Sequence, residues 1–250
     1  GRDEEGRARG VPTAHVIIKN TKVHHGHGGF VIGSEMSGGV HDIYVKDCVF
    51  SGTDIGLRFK STRGRGGTVK DIYIKNVFMN DIPGNAIDFN LFYAAKDPVK
   101  LAGEADDVLD LEIKAVDETT PLFTNIFMDN IHCYGAEHAV YSIGLPEMNV
   151  KNIHLTHSTF KTKKGIQLAE NTDVVIKNVF VDHKGDNLIN INNCNNIHLS
   201  NLNGSFKSKY LSVSGSRSDK ITLESSKDIE KTALEFKNES SNIIKVIKNP

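Results

Sequence analysis

The stretch HDIYVKDCVF, residues 41–50, returns 29 residues later as KDIYIKNVFM, residues 70–79. Apolar and polar residues alternate around the isoleucine of each copy, which is the periodicity of a β-strand and not of a helix. Weaker copies occur along most of the chain. Their first apolar residues, the anchors, are Val16, Ile43, Ile72, Ile126, Ile153, Val174, Ile197 and Ile221. Successive anchors are 27, 29, 54, 27, 21, 23 and 24 residues apart, and repeats of about this length are typical of a solenoid.

Two further columns of residues keep the same spacing. Four residues after the anchors stand Asn20, Asp47, Asn76, Asn130, His157, Asn178, Asn201 and Ser225. Asparagine and aspartate tolerate the left-handed backbone of a tight corner, and stacked amides can form a ladder. A second apolar run begins at Phe30, Leu57, Val140, Ile166, Leu188, Leu211 and Leu234. Each unit therefore contains at least two short strands joined by a corner, and the pattern predicts an all-β fold, a right-handed parallel β-helix.

The repeat also predicts how the chain is divided. We expect a single β-helix domain over residues 1–250, with one long loop insertion at 91–123, where the spacing between anchors doubles. The polar segment 226–250 is expected to cap the last coil. The charged opening, residues 1–10, is expected to be a loop, and the domain is expected to be truncated at its N-terminal end.

Composition limits the classes of partner. The 30 Lys and Arg residues nearly balance the 31 Asp and Glu residues, which argues against binding to nucleic acid or to an anionic membrane. The three cysteines have no zinc-type or disulfide-type spacing, so they are expected to be buried thiols. His24, His25 and His27 have no partner at ligand spacing, so we predict neither a metal site nor a cofactor.

The candidate site begins at His27, which lies between two glycines at the corner before a strand. In the next coil Leu57 and Phe59 are predicted to point inward, so that Arg58 and Lys60 point outward on the same face as His27. An arginine and a lysine beside a histidine could bind a carboxylate on a sugar or on an acid ligand.

Structural roles compete with this hypothesis. A histidine at a glycine corner can be purely structural, and Arg58 could pair with Asp88 one coil further on. Arg63 could be a loop charge, and Glu35 could cap a turn.

The segments GHGGFVIGSEMSGGV, residues 26–40, and GTDIGLRFKSTRGRGGTVKDIYIKNV, residues 52–77, resemble glycoside hydrolase family 28, the polygalacturonases, and within it the bacterial exo-acting branch. The family's Gly-His-Gly motif matches residues 26–28. Its Arg-Ile-Lys motif matches residues 58–60, with phenylalanine in place of isoleucine.

This resemblance implies hydrolysis of a galacturonate-containing pectic poly- or oligosaccharide with inversion, by a monomer that is secreted or periplasmic. His27 would orient a catalytic carboxylate, and Arg58 and Lys60, with Glu35 and Arg63, would bind substrate. The Asn-Thr-Asp and Asp-Asp motifs that contain the family's catalytic aspartates are not found in place. The resemblance therefore covers the C-terminal portion of such an enzyme, and this portion alone is expected to be inactive.

Two other functions remain open at this point. A polysaccharide lyase of the same architecture would use a basic residue, often with calcium, and would release an unsaturated product. A non-catalytic carbohydrate-binding β-helix would bind glycans without turnover.

Overall fold

The computed structural model describes residues 1–93, 112–225, 229–237 and 244–248. Its strands pair in parallel, and each anchor lies opposite the next in the register predicted from the sequence. Val16 pairs with Ile43, Ile43 with Ile72, Ile72 with Ile126, and so on through Ile153, Val174, Ile197 and Ile221 to Ile244. The right-handed parallel β-helix is confirmed.

Most coils contribute a long strand to one sheet and a short strand to a second. The strands of the first sheet are β1 (Thr13–Lys19), β2 (Lys22–Gly26), β4 (Val40–Thr53), β6 (Thr68–Asn80), β8 (Leu122–Tyr134), β10 (Val150–Thr162), β12 (Asn171–His183), β14 (Asn195–Gly204), β16 (Asp219–Ser225) and β18 (Ile244–Lys248). The strands of the second sheet are β3 (Phe30–Ile32), β5 (Leu57–Lys60), β7 (Ile87–Asn90), β9 (His138–Ile143), β11 (Lys164–Ala169), β13 (Ile189–Asn192), β15 (Leu211–Ser214) and β17 (Leu234–Phe236). A helix, α1 (Asp3–Arg9), precedes them, and a short 3-10 helix spans Lys231–Ala233.

Left-handed residues bend the long strands at two places. The column predicted four residues after the anchors has positive φ from Asn20 to Asn201, whereas Ser225 is not among the positive-φ residues. Its amides form part of the expected ladder, since Asn130 Nδ2 donates to Asn76 Oδ1 at 2.8 Å. A second left-handed column, which sequence reasoning missed, directly precedes the anchors: His15, Asp42, Asp71, Asn125, Asn152, Asp173, Asn196 and Lys220.

The core fills the inside of the coils. The anchors from Ile43 onward are buried, and Phe59 stacks on Phe89 with ring centroids 4.5 Å apart. Cys48, Cys133 and Cys194 are buried free thiols, as expected. Burial raises the pKa of Cys133 and of Cys194 to about 12. No helix among the described residues is long and apolar enough to span a membrane.

The structure corrects the chain's opening and the strand predicted at Leu188. Residues 3–9 are helical and not a loop, because acidic residues in the first turn and basic residues in the last complement the helix dipole. Gly10 ends this helix in the left-handed conformation. In the second sheet Ile189, not Leu188, pairs with Ile166 and Leu211.

Two other segments also differ from expectation. Strand pairing continues beyond residue 226, where β17 pairs with β15 and β18 with β16, so the segment expected as a cap contains strands of a further coil. Residues 94–111 of the expected insertion lie outside the described residues. Within the remainder Leu91 is buried and Phe92 packs against the core, whereas Ile113 is 59% exposed. The insertion also ends earlier, because β8 begins at Leu122.

Candidate functional site

Two corners stacked on each other place His27 beside Asp54. His27 follows β2 and Asp54 follows β4, so the two residues occupy equivalent positions in successive coils. His27 Nδ1 lies 2.8 Å from Asp54 Oδ2. The chain needs glycine here because Gly26 has φ +135°, and because a Cβ on Gly29 would lie 2.2 Å from the ring of Phe50.

The hydrogen bond to Asp54 sets the orientation of the imidazole ring. A carboxylate accepts a hydrogen bond, so Nδ1 is the donor and Nε2 is directed away from Asp54. Both side chains are exposed, at 92% for His27 and 58% for Asp54. Sequence reasoning missed Asp54, although its separation of 27 residues from His27 equals the spacing of the first two anchors.

Arg58 and Lys60 lie on the outer face of β5, as predicted. Leu57 and Phe59, which alternate with them along the strand, are fully buried. Arg58 Nη1 donates to the backbone carbonyl of His27 at 3.0 Å. The structure therefore brings His27 and Arg58 together, and β5 projects Lys60 on the same side.

The ring of Tyr93 lies against both cations. Lys60 Nζ is 4.2 Å from the ring centroid, and Arg58 Cζ is 5.5 Å from it. Such cation–π contacts hold the two side chains in place while leaving them charged. Sequence reasoning did not single out Tyr93 for this position, because it follows β7 outside the repeat.

Asp88 is the register partner of Arg58, which is the position that a structural pairing of Arg58 with Asp88 would need. It is only 6% exposed, and Asn85 Nδ2 donates to its Oδ1 at 2.8 Å. Burial raises the pKa of Asp88, against the hydrogen bond from Asn85 and the charge of Arg58, which lower it. Arg58 Nε is buried and has no hydrogen-bond partner among the described residues.

Arg63 and Glu35 both have partners within the protein. Arg63 forms a two-pronged pair with Glu147, with Nε–Oε1 at 2.7 Å and Nη2–Oε2 at 2.8 Å, and also donates to the carbonyl of Glu112. Glu35 is exposed, with Oε1 3.7 Å from Nη1 of Arg2. That either residue binds substrate stays a prediction.

A groove of about 760 Å³ extends from Arg58 and Asp88 along the outer face of the second sheet. Its floor is one row of outward residues in register, contributed by β5, β7, β9, β11, β13 and β15: Arg58, Asp88, Tyr141, Gln167, Asn190 and Ser212. One wall of the groove includes Asn85, on the corner before β7, and His138, the first residue of β9. His138 Nδ1 donates to Asn85 Oδ1 at 2.9 Å. Burial lowers the pKa of His138 to about 4, so its imidazole is neutral near pH 7.

Comparisons with known proteins match this chain to one family. The model of the glycosyl hydrolases family 28 matches residues 10–159, more than half of the chain. A "Probable polygalacturonase" of Vitis vinifera is 40% identical over 80 residues, which cover 32% of this chain and 16% of that protein. A "Polygalacturonase" of Ralstonia nicotianae is 30% identical over 134 residues, which cover 52% of this chain and 21% of that protein.

A solved structure agrees with these matches. The crystal structure of a hyperthermoactive exopolygalacturonase from Thermotoga maritima aligns with a TM-score of 0.63 and 27% identity, over 72% of this chain and 37% of that one. Each of the three matches thus spans well under half of the other protein's length.

Proposed function

Because the chain belongs to glycosyl hydrolase family 28, we propose that it is part of a hydrolase that cleaves pectic polysaccharide containing galacturonate. The observation that supports this most is the cluster in which Arg58 and Lys60 meet the ring of Tyr93 beside an oriented His27. Two fixed cations on one exposed face are suited to a carboxylate, because charge-assisted hydrogen bonds are stronger than neutral ones.

Each group in the cluster has a separate part in this proposal. Arg58 and Lys60 bind the uronate carboxylate, and the ring of Tyr93 keeps both side chains extended toward it. His27 is held through Nδ1 by Asp54, which leaves Nε2 to orient a catalytic carboxylate or a sugar hydroxyl. Asp54 is therefore a positioning residue.

Hydrolysis with inversion requires a carboxylic acid and a carboxylate base about 6.5–9.5 Å apart. Histidine, arginine and lysine cannot replace that pair. Asp54 is engaged by His27, and Asp88 lies buried beneath Arg58. We therefore propose that Asp54 and Asp88 are not this pair, and that the described residues supply the uronate-binding half of the site. From the family resemblance we also propose that the protein acts as a monomer, in the periplasm or outside the cell.

Binding to tetragalacturonate tests the uronate site without requiring turnover. We expect isothermal titration calorimetry to show that Lys60→Met weakens binding about tenfold or more, since a hydrogen bond to a charged group contributes about 1.5–3 kcal/mol. The fully methyl-esterified tetramer should bind the unaltered chain as weakly as the acid binds Lys60→Met. Lys177→Met is the matched control, because Lys177 is exposed on β12, away from the groove.

Equal binding of the acid and its ester would contradict the proposal. Turnover is tested separately, by release of reducing ends from polygalacturonate. In a form of the enzyme that is active, proton NMR of the first product should show the inverted anomer, and retention would refute the mechanism.

A further inference from the structure

Three polar residues connect Arg58 to the next coil by hydrogen bonds. His138 Nδ1 lies 2.9 Å from Asn85 Oδ1, and Asn85 Nδ2 lies 2.8 Å from Asp88 Oδ1. Asp88 is in turn opposite Arg58 in the register of β7 with β5. His138, Asn85 and Asp88, which we call the Asp88 chain, therefore end beside the arginine of the candidate site.

The carboxylate of Asp88 determines the direction of both hydrogen bonds in the Asp88 chain. An ionised carboxylate only accepts, so the amide nitrogen of Asn85 faces Asp88 and its oxygen faces His138. That oxygen also only accepts, so the one proton of the neutral His138 imidazole is on Nδ1. Each residue therefore orients the next, and the last one to be oriented is Asp88.

Asn85 and Arg58 both favour the charged form of Asp88. The side chain of Asp88 is buried, which favours the neutral acid and raises its pKa. The hydrogen bond from Asn85 and the positive charge of Arg58 oppose this effect. The titratable groups that face Asp88 from the neighbouring strands are Arg58 on β5 and Tyr141 on β9, and His138 acts on it through Asn85.

Arg58 needs a counter-charge at this point. Its Nε is buried without a hydrogen-bond partner among the described residues, and its Nη1 donates to the neutral carbonyl of His27. A partly buried cation is destabilised unless an anion lies near it. Asp88 supplies that anion through its charge, since no ion pair or hydrogen bond joins the two side chains in the described part of the chain. It therefore occupies none of the donors that a uronate would need.

We propose that Asp88, Asn85 and His138 are positioning residues for uronate binding: Asp88 holds Arg58 in place, Asn85 holds the Asp88 carboxylate, and His138 orients Asn85. The ligand's carboxylate is bound by Arg58 and not by the Asp88 chain. This inference rests on the proposed function, because it concerns the same uronate site.

Titration calorimetry with tetragalacturonate tests the Asp88 chain at pH 7. We expect Asp88→Asn, which keeps the shape of the side chain but removes its charge, to weaken binding about fivefold or more. Asn85→Ala should also weaken binding. In the Asp88→Asn background Asn85→Ala should have no further effect, because both residues act through the same charge.

Two more variants complete the set. Asn80 Nδ2 donates to Asp81 Oδ2 at 2.8 Å, an amide-to-carboxylate bond of the same length on β6 and outside the groove. Asn80→Ala is therefore the matched control and should leave the affinity unchanged. His138→Ala should weaken binding less than Asn85→Ala, because Asn85 then keeps its amide and loses only the group that orients it.

The pH dependence of the Kd separates positioning from a general loss of structure. Asp88 is charged above its folded pKa, so its contribution to binding is present there and is lost as the pH falls through that value. Without the hydrogen bond from Asn85 the pKa of Asp88 rises further. The affinity of Asn85→Ala should therefore begin to fall at a higher pH than that of the unaltered chain, and Asp88→Asn should lack this step.

Three results would overturn the inference: unchanged or tighter binding by Asp88→Asn, additive losses in the double variant, or an unshifted pH profile in Asn85→Ala. Tighter binding would mean that Asp88 repels the ligand instead of positioning Arg58. Thermal unfolding checks each variant, and the pH profile of Asn85→Ala, at a half-buried position, decides the matter if Asp88→Asn does not fold. Failure of the proposed function looks different, because tetragalacturonate would then be insensitive to Lys60→Met.

Discussion

Replacing Arg63 with alanine should destabilise the fold more than it weakens ligand binding. Arg63 donates two hydrogen bonds to Glu147, which lies 84 residues later in the sequence. The Glu147 side chain is 3% exposed and that of Arg63 is 24% exposed. Removing one partner of a buried pair leaves an uncompensated charge and costs about 3–5 kcal/mol. We expect about 3 kcal/mol, the low end, because Arg63 keeps some contact with water.

The pH dependence of the pair follows from the pKa of Glu147. Burial acts to raise this pKa, but the hydrogen bonds and charge of Arg63 outweigh it, and the result is a value below the ordinary 4.5. A carboxyl whose pKa is lowered by folding stabilises the protein fully above its unfolded pKa. That stabilisation is lost as the pH falls through the lower folded value. The difference between the unaltered chain and Glu147→Gln should therefore be constant above about pH 5 and should shrink below about pH 4.

Urea denaturation followed by far-ultraviolet circular dichroism measures this cost. For a chain of this size a loss of about 3 kcal/mol corresponds to a fall in Tm of about 6–12 °C. The control is Arg9→Ala, because Arg9 pairs with Glu5 at the exposed end of α1, where a salt bridge contributes under about 1 kcal/mol. If Arg63→Ala left stability unchanged but raised the Kd for tetragalacturonate tenfold, Arg63 would be a substrate ligand and the structural argument would be wrong.

Two further outcomes are expected. In an enzyme form active on polygalacturonate, Asp54→Asn should lower kcat about 10- to 100-fold with little change in the Kd for tetragalacturonate. The reason is that a misdirected His27 affects positioning more than binding. A larger effect on Kd than on kcat would argue that Asp54 contacts substrate. At the left-handed position Asn130, alanine should cost about 2 kcal/mol, and glycine should cost less because it lacks the Cβ that disfavours this conformation. Equal losses for alanine and glycine in urea denaturation would show that the hydrogen bonds to Asn76 and His132 account for the whole effect.

The fold could be predicted because two patterns in the sequence, strand alternation and the repeated columns of residues, specify how the strands pair. Alternation excludes a shift of one residue, which would expose the inward side chains. The column of corner residues four positions after the anchors excludes a shift of two. The registers of Ile43, Ile72 and Ile126 follow from this combined constraint. Alternation does not extend to corners, which is why the second strand of one coil was predicted one residue early, at Leu188 instead of Ile189.

Features that depend on backbone conformation were harder to predict. The second left-handed column contains His15 and Lys220 as well as asparagines and aspartates, so no single residue type marks it. The helix at residues 3–9 has no apolar face that repeats with helical period, and its stability comes from charges at its ends and from Gly10. Sequence patterns record burial well, but they record end effects of this kind only weakly.

Strand alternation predicted the site residues that lie on strands, but not the one that lies on a corner. Arg58 and Lys60 could be assigned to the outer face because Leu57 and Phe59 fill the core around them. Asp54 lies on a corner, where alternation says nothing. However, corners of a solenoid stack as strictly as strands do, because backbone hydrogen bonds such as Asp54 N to the carbonyl of Gly26, at 2.8 Å, continue through them. Residues separated by one coil length therefore lie next to each other in space. The local coil length is 27 residues, so the residue stacked on His27 is Asp54.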